Sequence, residues 1–164
     1  MSIKVGDSAP DFSLVALGDG GPEVVKLSEQ TGEQNILLLF VPMAFTGVCT
    51  EELCTVSGGL SDYADLNCKV FAISGDNPFA QAAWAEKENI SLKLLSGYDH
   101  QATKAYGVAY PQFLPEKNLI MGGVPKRSAF LIDKAGLVQF AQVNDSPGDL
   151  PDFDAIKAKL RELS

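Results

Sequence analysis

The 164-residue sequence is 46% hydrophobic and 21% charged, which is typical of a globular protein that can bury a hydrophobic core. Its net charge of −8 excludes the basic footprint of nucleic-acid-binding proteins and disfavours contact with anionic membranes. Because no segment has the length of a membrane span and the first residues do not resemble a signal peptide, we predict one cytoplasmic domain over residues 1–164, with no nucleic-acid or membrane partner.

The N-terminal residues predict a β-hairpin followed by a buried strand. Apolar and polar residues alternate over 12–14, a glycine-rich turn occupies 18–22, and the alternation resumes over 23–27. The continuous apolar run 35–41 then indicates a central strand that is buried on both faces, and Pro42 ends it.

The next part of the chain predicts two helices separated by a second buried strand. Residues 48–66 place apolar side chains at helical spacing, although two adjacent glycines weaken the middle of this helix. The apolar segment 69–74 predicts the strand. The pair Asn77-Pro78 then provides the N-cap and the first turn of the second helix.

The C-terminal half predicts a strand over 92–95, a helix over 101–106, an antiparallel hairpin formed by 128–133 and 137–143, and a last helix over 151–163. Strands that alternate with helices indicate an α/β fold whose parallel core is covered on both faces. The thioredoxin fold has this order of elements. Here we expect it with an N-terminal β-hairpin extension and a mixed central sheet flanked by helices.

The sequence contains three cysteines, Cys49, Cys54 and Cys68. An odd number in a chain that is not secreted argues against a structural disulfide framework, so reactive thiols and buried thiols both remain possible. His100 is the only histidine, and the cysteines lack CxxC spacing. We therefore expect neither a metal site nor a cofactor.

Cys49 lies where an α/β fold commonly places its chemistry. A buried strand ends at Pro42, and a loop leads into a helix whose first turn contains Cys49. The free N–H groups and the dipole of a helix start stabilise anions, and the thiolate is the nucleophilic form of cysteine. Thr46 can direct a hydroxyl toward the same point. By placement alone, a buried thiol is as good an interpretation as a reactive one.

The spacing Pro-x-x-x-Thr-x-x-Cys, formed by Pro42, Thr46 and Cys49, resembles the active-site signature of the peroxiredoxins. The stretches GDSAPDFSL, NILLLFVPMAFTGVCTEEL, VFAISGD, AYGV and RSAFLID followed by GLVQF are similar to that family in order and spacing. The resemblance covers nearly the whole chain. It is closest to the group that contains alkyl hydroperoxide reductase E and peroxiredoxin Q, also called bacterioferritin comigratory protein.

The resemblance implies a thiol peroxidase that reduces hydrogen peroxide and organic hydroperoxides. Cys49 would be the peroxidatic cysteine, which becomes a sulfenic acid when its thiolate attacks the peroxide. Thr46 would hydrogen-bond the peroxide, and the backbone N–H groups of Val48 and Cys49 would stabilise the charge on the departing oxygen. Pro42 would shape the loop and shield the thiolate from water.

The resemblance also assigns a catalytic arginine, which matches Arg127 at the start of a predicted strand. An arginine would stabilise the thiolate and the charge on the reacting oxygens. Without the resemblance, a solvated charge is the better interpretation of Arg127, because most arginines are exposed. Glu52, one helical turn after Cys49, is a candidate to orient Arg127, although a glutamate in a first turn also simply complements the helix dipole.

Cys54 matches the resolving cysteine of the peroxiredoxin Q group, which closes an intramolecular disulfide with the peroxidatic cysteine. Five residues along an intact helix separate the Cα atoms by about 8 to 9 Å, whereas a disulfide needs less than about 7 Å. The helix must therefore unwind, and Gly47 and Gly58-Gly59 favour such unwinding. The alternative for Cys54 is a small core residue, and we interpret Cys68 as a packing residue.

The resemblance further implies a thioredoxin-like protein or a low-molecular-weight thiol as reductant, and a homodimer formed through loops near the site. Apolar residues at Met43, Phe45, Phe79 and 119–124 are candidates for the mouth of the site or for a dimer face.

Two other functions would use the same cysteines. A general thiol–disulfide oxidoreductase lacks an obvious use for Thr46 and Arg127, and the usual CxxC is missing. A redox sensor would react with peroxide but would not turn over with any reductant. An inert thioredoxin-like scaffold is the weakest interpretation, since the Pro, Thr and Cys of the signature are all present.

Overall fold

The computed structural model describes residues 2–163 as a seven-stranded mixed sheet with helices against both faces. In addition to one 3₁₀ turn at Pro115–Lys117, the elements are, in chain order, β1 (Ser13–Gly18), β2 (Gly21–Lys26), α1 (Leu27–Gln30), β3 (Asn35–Phe40), α2 (Gly47–Gly58), α3 (Leu60–Asp65), β4 (Cys68–Ser74), α4 (Pro78–Glu88), β5 (Lys93–Ser96), α5 (Gln101–Ala105), β6 (Ser128–Ile132), β7 (Val138–Val143) and α6 (Phe153–Leu163).

The strand order β2-β1-β5-β4-β3-β6-β7 places β3 and β4 at the centre of the sheet. The β3, β4 and β5 strands are parallel, whereas the β1–β2 and β6–β7 hairpins are antiparallel. The register of β3 against β6 sets Phe40 beside Ser128, so the end of β3 meets the start of β6. The predicted mixed α/β sheet, with a parallel core and antiparallel hairpins, is confirmed.

Alternate side chains of the central strands point into two hydrophobic cores, one on each face of the sheet. Leu37 and Leu39 of β3 point into the core covered by α2, α4 and α6, and Leu38 and Phe40 point into the core on the opposite face. Every residue of β3 is buried, which agrees with its continuous apolar sequence. The central sheet is therefore a rigid base for the loops that leave its carboxyl edge.

Two details differ from the sequence-based prediction. The single helix expected over 48–66 is wrong, because Gly59 leaves helical geometry and divides this segment into α2 and α3. Glycine readily leaves the helical conformation, so adjacent glycines interrupt a helix that the apolar spacing alone would continue. Residue 27 begins the short helix α1 rather than ending a strand. Within residues 2–163, no helix combines the length and hydrophobicity that crossing a membrane requires.

Candidate active site

The first turn of α2 offers free backbone donors around a buried sulfur. Cys49 is the third residue of this helix, and only 1% of its surface is exposed. The Thr50 amide donates to the Thr46 carbonyl at 2.9 Å, which is the first hydrogen bond of the helix. The N–H groups of Gly47, Val48 and Cys49 precede that bond and have no acceptor within the helix.

Thr46 occupies the N-cap position of α2 without capping it. Its hydroxyl donates to the Met43 carbonyl at 2.9 Å, so the proton of this hydroxyl is already used within the loop. A threonine at an N-cap usually accepts from a first-turn amide. Because Thr46 makes no such bond, its oxygen and the first-turn amides remain free to bind a ligand.

Arg127 brings a positive charge to the Cys49 sulfur from 78 residues away. This arginine directly precedes β6, and its Nη2 donates to Cys49 Sγ at 3.3 Å. Its Nη1 donates to Glu52 Oε1 at 3.1 Å, and its Nε donates to the Pro147 carbonyl at 3.0 Å. The side chain is 2% exposed, so the three contacts hold the guanidinium in one position inside the protein.

In this cluster, attraction between opposite charges counteracts the free-energy cost of burying each charged group. Burial lowers the pKa of Arg127, but the adjacent Cys49 and Glu52 outweigh it and raise that pKa above its ordinary value. Burial raises the pKa of Glu52 to about 7, and the attraction of Arg127 offsets this effect only in part. Because a guanidinium keeps its proton, Glu52 is the member of the ion pair that titrates near neutral pH.

A cavity of about 280 Å³ opens next to the sulfur. The structure brings together at this cavity four of the five residues that the sequence singled out, namely Pro42, Thr46, Cys49 and Arg127. The rest of its lining is mainly apolar and consists of Met43, Gly47, Val48, Phe113, Leu114, Lys117, Leu119, Pro147 and Gly148.

The profile of the AhpC/TSA family matches residues 5–141 of this chain. The chain is a peroxiredoxin of the AhpC/TSA family. It is 33% identical over 152 residues to alkyl hydroperoxide reductase E of Mycobacterium tuberculosis, an alignment that covers 92% of this chain and 91% of that protein. The predicted family is thereby confirmed, and the protein is an enzyme that reduces peroxide with a thiol.

Solved structures confirm the predicted thioredoxin fold as well. Peroxidoxin BcpB from Mycobacterium tuberculosis superposes with a TM-score of 0.81 at 28% identity and covers 99% of both chains. The reduced 2-Cys peroxiredoxin from Plasmodium vivax superposes with a TM-score of 0.82 at 29% identity, covering 96% of this chain and 80% of that one.

Cys54, the fifth residue singled out, lies outside the cavity lining of the peroxiredoxin. It follows Cys49 along the continuous helix α2, and its Sγ donates to the Glu88 carbonyl at 3.3 Å. Helical geometry separates the two Cα atoms by about 8 to 9 Å, which is too far for a disulfide. Both thiols are free in this conformation, so a bond between them requires α2 to open.

Cys68 is the first residue of β4 and belongs to one of the two hydrophobic cores of the peroxiredoxin. Burial raises the pKa of its thiol to about 12, so it remains protonated at neutral pH. This environment supports the prediction that Cys68 is a packing residue.

Several lining residues of the peroxiredoxin site were not identified from the sequence. Phe113 and Leu114 reach the cavity because an isolated bridge between Phe113 and Met121 folds their segment back toward it. Pro147 contributes its backbone carbonyl to Arg127. Every residue type has such a carbonyl, so the sequence could not identify this contact. Of the apolar residues predicted at the mouth of the site, Met43 and Leu119 line the cavity, whereas Phe45, Phe79 and residues 120–124 do not.

Proposed function

We propose that this peroxiredoxin reduces hydrogen peroxide and organic hydroperoxides through the thiolate of Cys49. The Cys49 sulfur would attack the terminal oxygen of the hydroperoxide, forming an S–O bond while the O–O bond breaks. Both electrons of the broken bond leave with the alkoxide, which takes a proton from solvent to become an alcohol, or water when the substrate is hydrogen peroxide. The product on the enzyme is Cys49 sulfenic acid.

The contact between Arg127 Nη2 and Cys49 Sγ is the observation that best supports this proposal. A buried guanidinium beside the sulfur can donate to the attacking thiolate, and it is already in place for negative charge that develops on the reacting oxygens. The backbone N–H groups of Val48 and Cys49, which have no acceptor within the helix, would donate hydrogen bonds to the same developing charge. Thr46, whose own proton is held by the Met43 carbonyl, would accept the hydrogen bond from the hydroperoxide O–H.

The cavity supports organic hydroperoxides among the substrates. Pro42 is buried and lines the cavity, where it would shield the sulfur from solvent, and Met43, Phe113, Leu114 and Leu119 provide an apolar wall. Such a wall removes an alkyl or aryl group from water while the peroxide end reaches Cys49.

We further propose that Cys54 resolves the sulfenic acid. Its thiol would attack the Cys49 sulfur, form the disulfide and release water. To reach it, the turns of α2 would have to unwind and release the bond from Cys54 Sγ to the Glu88 carbonyl. A thioredoxin-like protein or a low-molecular-weight thiol would then reduce the disulfide and return both free thiols.

Mass spectrometry after one equivalent of hydrogen peroxide tests this function on the reduced wild type, Cys54→Ser and Cys49→Ser. We expect a Cys49–Cys54 disulfide in the wild type, a trapped Cys49 sulfenic acid in Cys54→Ser, and neither product in Cys49→Ser. Sulfenic acid on Cys49 in the wild type would remove Cys54 from the mechanism and require an external thiol. An unmodified Cys49 in the wild type would refute the proposed peroxidatic role.

Turnover experiments separate the alternatives raised by the sequence. Sustained consumption of peroxide with a thioredoxin or a small thiol would exclude a sensor that reacts only once. Faster reduction of protein disulfides than of peroxides would instead support a thiol–disulfide oxidoreductase.

A further inference from the structure

The loop between β3 and α2 is held in an unfavourable backbone conformation. Phe45 has a φ of +63°, in the left-handed region that aromatic residues seldom adopt. Such a conformation persists only where surrounding contacts impose it. The preceding amide, Ala44 N–H, donates to Asp76 Oδ2 at 2.7 Å, and Thr46 follows Phe45 directly. This one bond to a carboxylate therefore lies two residues before the N-cap of the catalytic helix.

Asp76 is itself fixed by groups from three elements of the fold. Ser74 Oγ, at the end of β4, donates at 2.8 Å to the same Oδ2 that binds the loop. Gln81 Nε2, on α4, donates to Ser74 Oγ at 2.8 Å and to the Leu95 carbonyl at 2.9 Å. From β5, Ser96 Oγ donates to the Asp76 carbonyl at 2.7 Å. Ser74, Gln81 and Ser96 are all buried, so this polar chain is anchored in the rigid part of the sheet.

We propose that Asp76 is a positioning residue for peroxide reduction. Its carboxylate holds Ala44 N–H, and this bond imposes the conformation of Phe45 that sets Thr46 beside Cys49. Asp76 is not among the residues that line the cavity, so it acts through the loop rather than on the substrate. Charge-assisted hydrogen bonds to backbone N–H groups are among the stronger hydrogen bonds in proteins. The inference rests on the roles proposed above for Thr46 and Cys49.

The test compares two reactions of Cys49 in the Cys54→Ser background. One is the rate constant for sulfenic acid formation with hydrogen peroxide, followed by rapid-quench mass spectrometry. The other is the rate constant for alkylation by iodoacetamide, which needs the thiolate and access to it but not a hydrogen bond to Thr46. A general loosening of the fold would change both reactions, whereas a displaced Thr46 would change only the first.

For Asp76→Ala we expect the peroxide rate constant to fall about tenfold or more, since small displacements of catalytic groups have effects of this size. Its alkylation rate constant should stay within about threefold of the parent value. Asp76→Asn keeps an oxygen that can accept from Ala44 N–H, so it should recover most of the peroxide rate. If Asp76→Ala does not fold, Asp76→Glu replaces it, because glutamate keeps the charge but shifts the acceptor by one methylene.

Asp133→Ala is the matched control. Asp133 is also half-buried, and its Oδ1 accepts from the amides of Ala135 and Leu137 in the β6–β7 turn. This turn lies at the opposite end of β6 from Arg127, so the control should lose stability without losing the peroxide rate. A folded Asp76→Ala or Asp76→Glu variant with the parent peroxide rate would overturn the proposal. An equal loss of both reactions in these variants would also overturn it. Failure of the proposed function is distinct, because it appears as absent Cys49 sulfenic acid in the parent protein.

Discussion

At the scale of single residues, the site depends on one arginine that serves several groups at once. The guanidinium of Arg127 contacts Cys49, Glu52 and the Pro147 carbonyl through three different nitrogens. A planar guanidinium with fixed donor directions can make these contacts together, whereas a lysine ammonium cannot. Glu52 thereby neutralises part of the buried positive charge and fixes its direction toward the sulfur.

The burial of Glu52 predicts a pH-dependent contribution to stability. Its pKa rises from the usual 4.5 to about 7 in the folded protein, so between these values the folded state binds more protons than the unfolded state. The free energy of unfolding of the wild type, relative to Glu52→Gln, should therefore decline from pH 4.5 to about 7 and become constant above. Urea unfolding of both proteins across this range measures the difference, and parallel pH profiles would contradict the raised pKa.

At the scale of secondary structure, the proposed mechanism makes α2 both the catalytic helix and the element that opens for resolution. Side-chain hydrogen bonds join it to α4 and to the segment that follows α4. Trp84 Nε1 donates to Thr50 Oγ1 at 3.0 Å, and the Ser91 amide donates to Ser57 Oγ at 3.0 Å. With the bond from Cys54 to the Glu88 carbonyl, these contacts connect successive turns of α2 to the rest of the fold. The glycine at the end of the helix lowers the cost of opening it.

Gly58→Ala should stabilise α2 and slow resolution. A Cβ at Gly58 meets no atom within 4 Å, and alanine favours a helix over glycine by about 1 kcal/mol. If α2 opens before the disulfide forms, that difference slows the step from sulfenic acid to disulfide by about fivefold. The step that forms the sulfenic acid should be unchanged. Rapid-quench mass spectrometry resolves the two steps.

Gly20→Ala provides the control for this prediction. Gly20 also has space for a Cβ, but it lies in the β1–β2 turn, away from α2. It should therefore leave both steps unchanged. Equal disulfide formation rates in Gly58→Ala and the wild type would show that opening of α2 does not limit resolution.

At the scale of the whole molecule, an acidic protein with a net charge of −8 carries exposed apolar residues close to its active site. Leu119, Ile120 and Met121 are 36% to 64% exposed, and Leu119 also lines the cavity. Adjacent exposed apolar side chains are typical of a surface that binds another protein. They are the best candidates for the contact of the homodimer that the family resemblance implies.

We expect a species of twice the 17.5 kDa chain mass in analytical ultracentrifugation, and its conversion to monomer by Ile120→Glu. Ile120 is 64% exposed and Val24, on the edge strand β2, is 68% exposed. Val24→Glu therefore introduces the same charge at an equally exposed apolar position outside the proposed contact, and should remain dimeric. A monomeric wild type, or dissociation by both variants alike, would contradict this dimer contact.

The local sequence determined most of the elements and predicted the nucleophile. Periodicity and turn residues predicted β3, β4, α4 and both hairpins, because these patterns reflect the conformation of the residues that carry them. The spacing of Pro42, Thr46 and Cys49 predicted the site through its resemblance to the family signature, and all three residues lie within one loop and one helical turn. By contrast, the apolar spacing predicted one continuous helix through Gly59. The structure interrupts the helix there, because glycine readily leaves the helical conformation.

Only the tertiary structure decided what surrounds the sulfur. Arg127 reaches Cys49 because antiparallel pairing sets Ser128 beside Phe40, and no local pattern records which strands become neighbours. The hydrogen bond from Ala44 N–H to the Asp76 carboxylate likewise depends on the parallel pairing of β3 with β4. Local periodicity fixes a segment's own backbone and buried face, whereas the partners of a catalytic group depend on how distant segments pack into one sheet.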